Sequence, residues 1–550
     1  MKQYIILAAT ACLAIAATSC SEFLEEDMRS SFTPETIYAS SLGFEVGSAG
    51  LYSIARSEYN TWGEEGAFIH NGACPYEALQ VGTDLCDARN GGDGSLIPFS
   101  QLTLNSNTQF VKTYWQWAYN LIGSANELLL YAAENTNWDN ATDQAVYSAE
   151  ARFFRAYAYR YLVYLYGDVP WVETIQKPFV LSFTRTPKEE VISHIVEDLK
   201  YASENLPENP DAVKQGKLTR WAAYHYLSEM YLLQKDYANA RNAAQAIIDS
   251  KYYELTTSHY GVNASGEVAG DAFSDMFLEN NQNRDKGNKE AIWVMQFQYE
   301  YQKAGGGTPS DDWTRRAWNP MYFGISGFTL SAEYGGRGLA QILPMKWWIG
   351  TAGTNATGDY GNGIFDDGDM RNSEYNIKRT WLYNNEKEPS LYGKQCNITD
   401  ATWTAGQLYP ALTKFFYGKS DNLSMTGGYR DRMRIRLPET YFLLAEACLG
   451  LGDSQGAADA VNEVRRRAKV SNVSAADMDL DFLLDERIRE LCGEEVRRFT
   501  LLRTGKLIER VKKYNSAQKD IITEQFLLWP IPQTIIDANR DVEFPQNPGY

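Results

Sequence analysis

Histidine is scarce in this chain, and so are the short motifs that usually announce catalysis. The four histidines, His70, His194, His225 and His259, lie far apart and make no HExxH or comparable metal-ligand spacing. There is no complete GxSxG and no P-loop, and Gly336-Arg337-Gly338 lacks the third glycine of a dinucleotide fingerprint. Carboxylates are plentiful, yet no pair stands out as a glycosidase couple, so no catalytic residue and no organic cofactor is assigned. Positive charge is short as well. Lys and Arg number 52 against 70 Asp and Glu, a formal charge of −18 that argues against nucleic acid as a partner and suits neutral ligands better.

Cysteine pairs are missing too. After Cys20 there remain Cys74, Cys86, Cys396, Cys448 and Cys492, none of them in a CxxC motif. Cys448 and Cys492 fall on helical patterns, as small buried hydrophobes do. Cys74 with Cys86 could close a loop disulfide in an oxidising compartment. No Pro/Gly/Ser-rich linker or long charge run divides the 550 residues. With 44% hydrophobic and 22% charged residues, they read as one large globular body carrying a long insertion.

What is present begins with a leader. Lys2, the apolar run of residues 5–17 and the small residues before Cys20 make a secretory signal over residues 1–19, too short to persist as a membrane-spanning helix. Ala17-Thr18-Ser19-Cys20 looks like a lipobox, with Ala17 where Leu is usual, so Cys20 is expected to be acylated and to become the mature N-terminus. Residues 20–32 follow as an acidic tether, with Glu22, Glu25, Glu26 and Asp27 close behind the anchor, which resembles an export signal to the outer face of the outer membrane.

The body from residue 33 is expected to be mostly α. Thr33, Pro34 and Glu35 open a helix, and ARFFRAYAYRYLVYLYGDVPWV, residues 151–172, is apolar almost all round, so it must be wrapped by other helices until Gly167 and Pro170 end it. Residues 217–255 place Tyr224, Leu227 and Tyr231 on one helix and Tyr237, Ala240, Ala244 and Ile247 on the next, at tetratricopeptide spacing. Tyr441, Leu444, Ala445, Gly452, Ala457 and Val464 repeat that pattern, and residues 151–172 begin a third unit whose second helix waits until Pro187. The expected scaffold, residues 33–255 and 431–550, is a short helical solenoid, an architecture that usually docks proteins.

Two stretches break that regularity. Residues 56–102 are rich in Gly, Asn and Asp, a loop on a rigid frame where Trp62, Asp84, Arg89 and Asn90 are candidate ligand residues. Residues 256–430 form the irregular, partly β insertion. Trp293 lies in an alternating stretch that predicts a core strand, while Trp313 and Trp318, among charges and before Pro320, predict a loop. Trp313, Trp318, Tyr334, Trp347 and Trp348 are the candidate aromatic platform, an apolar surface for the C–H face of a pyranose beside groups that bond its hydroxyls. Asp359, Asn362, Asp366, Asp367 and Asp369 offer hard oxygen ligands for calcium, with turn formation as the competing use of the same residues.

The last hundred residues carry a resemblance. Glu486, Arg487, Glu490, Leu491, Gly493, Glu494, Arg497, Arg498, Phe499 and Leu502, then Pro530-Ile531-Pro532 and the closing Gln546 to Tyr550, strongly resemble the SusD/RagB family of outer-membrane nutrient-binding lipoproteins. Residues 151–172, Thr83-Asp84 and the lipobox agree with it. The resemblance implies a SusD-like fold over residues 33–550 and a lipid-anchored protein facing the cell exterior, attached to the outer membrane through the N-terminal lipid. It implies binding of oligosaccharide or polysaccharide, delivery to a SusC-like TonB-dependent transporter, and no catalysis. A peptide-docking or non-glycan nutrient-binding protein and a surface glycosidase are the competing readings.

Overall fold

The computed structural model describes residues 33–59, 74–175, 182–298, 312–417, 422–425 and 427–550. Trp62, Cys20, the leader and the tether lie outside them. Thr33 caps a single turn, Pro34–Ile37, and Ser40 caps a new helix, so the expected opening helix is two pieces. The principal helices are α1 (Ser41–Arg56), α2 (Gln109–Glu134), α3 (Asp143–Tyr166), α4 (Lys188–Asn205), α5 (Arg220–Leu233), α6 (Tyr237–Asp249), α7 (Leu437–Gly450), α8 (Ser454–Arg467), α9 (Leu480–Leu491), α10 (Arg497–Arg503) and α11 (Leu507–Tyr514). From α2 to α8 each packs on its successor, and α6 meets α7 directly although the insertion separates them in sequence. Helix pairs α3/α4, α5/α6 and α7/α8 are the three units that the alanine and aromatic spacing predicts.

Helix α3 is the axis of this body. From Ala151 to Tyr166 every side chain is buried except Arg152, which is half-buried. Arginines in such a helix need partners, since an unpaired interior charge is costly. Arg155 Nε lies 2.7 Å from Asp198 on α4, and Arg160 Nε lies 2.8 Å from Glu229 on α5. Gly167 then takes φ +74, a value that favours glycine, and ends the helix.

The insertion is closed at its base by an antiparallel pair, Ala291–Met295 with Arg432–Arg436, and Trp293 sits buried on the first strand as the alternation predicts. Two further two-stranded ribbons, Ile377–Lys378 with Ala411–Leu412 and Trp381–Leu382 with Gln395–Cys396, lie inside it. The expected loop at Trp313 and Trp318 is instead a buried turn of helix, Thr314–Trp318. Arg315 Nη1 donates to the carbonyl of Gly335 at 2.8 Å, and Trp318 stacks on Phe415 with centroids 5.1 Å apart, so this segment is part of the packed interior.

All five described cysteines are free and buried, which removes the Cys74–Cys86 disulfide: the Cys74 thiol points at the carbonyl of Glu58, and Cys86 lies on the covered face of its strand. Nor do the five calcium candidates converge. Asp369 is buried against Arg371, Asp366 pairs with Arg465, Asn362 bonds Asp367, and Asp359 is exposed elsewhere on the loop. The oxygens of Asp366 and Asp369 are already used by arginine, and Asp367 accepts from Asn362 in a turn contact.

Candidate functional site

The early loop is welded in place from below. Asp84 is fully buried, and its carboxylate bonds Arg497 on α10 at 2.7 and 2.8 Å and Arg510 on α11 at 2.6 Å. Burial by itself would raise its pKa, but the two guanidinium groups outweigh that and hold it at about 2. Gly82, two residues earlier, has φ +75, and a Cβ there would come 2.7 Å from the carbonyl oxygen of Phe99. Asn515, just past α11, donates to the carbonyl of Thr83. Asp84 is therefore a structural anchor, out of reach of a ligand.

Above the weld, the loop pairs with the insertion. Strand Cys86–Ala88 runs antiparallel to Ile342–Pro344, and Arg89 continues the ladder by donating its N–H to Gln341 O at 2.9 Å. Strand alternation puts Cys86 and Ile342 on the core face and Asp87, Arg89, Gln341 and Leu343 on the other. Asp87, Arg89 and Leu343 are half-buried, so this second face meets solvent. The Arg89 guanidinium donates to Ala340 O at 2.8 Å and to the carbonyls of Asn90 and Leu339 at 3.5 Å, and among the described residues it makes no ion pair. Asn90, next along, is exposed. Burial pushes the Asp87 carboxyl up to about 6, against the hydrogen bonds from Ser100, the Ala88 N–H and Asn515. Gln341 Oε1 is buried without a protein partner.

At the far end of the ladder, two adjacent indoles hang from two adjacent loop carbonyls. Trp347 Nε1 donates to Asp84 O and Trp348 Nε1 to Leu85 O, both at 2.7 Å. They then diverge, as neighbours on one turn must. Trp348 is 0% exposed and belongs to the core, whereas Trp347 is half-buried and stacks face to face on Tyr514, the last residue of α11, at 3.7 Å and 15°.

Trp62 lies outside the described residues, and the other eight candidate ligand residues separate. Arg89, Asn90 and Trp347 come together along one seam between early loop and insertion. Asp84, Trp313, Trp318, Tyr334 and Trp348, at 0, 1, 2, 3 and 0% exposure, are interior residues and do not form a platform. Tyr334 sits in an aromatic cluster with Tyr322 and Trp381, its hydroxyl donating to Leu382 O. Asp87, Gln341 and Tyr514 were missed. The period-two alternation of Asp87 and Arg89 was a usable signal, obscured by the Gly/Asn-rich surroundings, while Tyr514 had none. Among the described residues no three His, Cys, Asp or Glu side chains gather as a metal site.

Residues 289–550 match the model of the SusD family, and residues 94–232 match a second family model, described as starch-binding associating with outer membrane. The SusD-like protein P25 of Formosa agariphila is 25% identical over 521 residues, which span 90% of this chain and 88% of that protein. The starch-binding protein SusD of Bacteroides thetaiotaomicron is 25% identical over 471 residues, 79% of this chain and 78% of the relative. A crystal structure of a SusD superfamily protein from Parabacteroides distasonis aligns with a TM-score of 0.70 at 21% identity, covering 92% of this chain and 98% of that one, and so shares its fold.

Proposed function

Because the chain belongs to the SusD family, we propose that it is a non-catalytic, lipid-anchored surface protein that binds oligosaccharide or polysaccharide and passes it to a SusC-like TonB-dependent transporter. The observation that carries this reading is the seam itself. It offers a half-buried indole held in one orientation, a guanidinium with no carboxylate partner among the described residues, and an exposed amide, spread along a ladder whose strands rise about 3.3 Å per residue. Only Cys86 to Arg89 is extended and paired, three steps, so the straight part of the seam runs for roughly 10 Å, with Trp347 bonded to the turn at Asp84 just before it. An apolar ring with donors and acceptors beside it is what a pyranose requires. The acidic tether after Cys20 and the match to a family described as starch-binding associating with outer membrane support the outer-membrane placement.

The test is binding by the purified chain to a panel of polysaccharides, with reducing ends assayed in parallel. Retention on at least one glycan without release of reducing ends is expected; hydrolysis overturns the non-catalytic reading. Trp347→Ala and Arg89→Ala should each weaken binding about tenfold, the scale of one aromatic or charge-assisted contact, with the thermal midpoint close to wild type. Full affinity in both variants moves the site elsewhere. Cys20→Ala should leave the protein in the soluble fraction, and transporter pairing is checked by whether a TonB-dependent outer-membrane protein co-purifies with the native chain.

A further inference from the structure

Resting on the glycan-binding reading, we propose that Tyr514 is a positioning residue of that site, contributed by helix α11 as the ring that backs Trp347 in a two-ring wall. The early loop and the insertion are the stretches that look like ligand loops in sequence; α11 reads as an ordinary charged helix. Its last turn is nevertheless fixed to the site by three separate contacts. Asn515 donates to Thr83 O at 3.1 Å, Arg510 is ion-paired with Asp84 at 2.6 Å, and the Tyr514 ring lies 3.7 Å from Trp347. The Arg510 guanidinium lies over both rings, 4.9 Å from the centroid of Tyr514 and 5.5 Å from that of Trp347, and braces the pair.

Two features separate this pair from the interior aromatic pairs of the chain. Both rings are half-buried, whereas Trp318 and Tyr334 are covered. The residues beside Tyr514, Lys512 and Lys513, are exposed, so α11 presents this turn to solvent. A lone exposed indole would have to be ordered when a sugar stacks on it, at about 0.5–1.5 kcal/mol per immobilised side chain. Here Nε1 is already bonded to Asp84 O and the ring is already clamped by Tyr514, so the wall is ordered before the ligand arrives. The ligand class is a pyranose chain with one apolar face, read by the wall, and hydroxyls read by the polar ladder.

The experiment uses the chain from residue 20 onward, with soluble starch, laminarin, xyloglucan and pectin as probes, and follows the probe that wild type binds most tightly by calorimetry. Tyr514→Ala should lower affinity about tenfold while Tyr514→Phe stays within about twofold, because the ring and not the hydroxyl makes the wall. Since the two rings act as one unit, Tyr514→Ala combined with Trp347→Ala should lose less than the product of the separate losses. A purely structural role for Tyr514 would lower the thermal midpoint and leave affinity intact, and that result overturns the inference. Wild-type affinity in Tyr514→Ala overturns it alone; a wild-type chain that binds none of the four probes overturns the glycan reading with it.

Discussion

Asp84→Ala is expected to lose about 3–5 kcal/mol of stability, the cost of removing one partner from a buried ion pair. The substitution leaves Arg497 paired with Glu495, at 3.2 Å, and leaves Arg510 with Asp481 and Asp485, which lie nearer the surface. Three chain segments lose their common point: the early loop, α10 and α11. A urea unfolding midpoint measures the effect. The pH dependence has a definite sign, because the carboxyl is held at about 2 in the folded chain and titrates near 3.9 when unfolded. Its contribution is present in full above the unfolded value and is lost as the pH falls towards 2. Asp84→Asn should therefore be weakest relative to wild type at neutral pH and draw level with it near pH 2. Asp87, pushed up to about 6, acts with the opposite slope: its contribution is present below the unfolded value and is lost as the pH rises through 6. If Asp84→Asn proves as stable as wild type and binds glycan poorly, Asp84 is a ligand residue after all and the anchor assignment is wrong.

The helical frame was legible because its information is local. Alanines and aromatics at three- and four-residue spacing mark α3 to α8, and the polar fraction of residues 151–172 is so small that burial follows from composition. The site was legible only as a region. Whether a tryptophan is covered depends on partners far away in the chain: Trp348 bonds a carbonyl 263 positions earlier, and Arg497 reaches Asp84 across 413. Trp347 and Trp348 are adjacent and identical in type, and only the turn that holds them decides which is core. Charged neighbours misled in the same way at Trp313 and Trp318. Arg315 and Arg316 are buried, and Arg315 donates to main-chain carbonyls instead of marking a solvent-facing loop. The motif residues behind the family resemblance have a similar explanation. Glu490 is buried among Arg371, Arg436 and Arg467, and Arg497 holds Asp84, so that signature records how the frame is closed and says nothing about which sugar is bound.

Tyr157→Ala should be as damaging as any change in the frame, and for two additive reasons. The ring is packed among Phe153, Trp117, Trp293 and Tyr226, so truncation leaves a cavity of a kind that costs about 3–5 kcal/mol. The hydroxyl donates to Glu58 Oε1 at 2.6 Å and accepts from Arg434 Nε at 3.0 Å, and both partners are buried. Tyr161 binds the same two groups, so the phenols of α3 tie the end of the first helical segment to the strand that closes the insertion. Tyr157→Phe isolates the second reason: it keeps the packing and should cost about 1–3 kcal/mol for the unmet polar groups. Among the described residues no hydrogen bond, ion pair or ring contact joins the helix to Trp347 or Arg89, so its role is positional. Glycan affinity of the molecules that remain folded should stay within about twofold of wild type, since sites with no shared partners add independently. Stability measured by urea and affinity measured by calorimetry on the same preparation decide the matter. A Tyr157→Ala protein with a wild-type midpoint and weakened binding would place α3 in the ligand site and remove it from the frame.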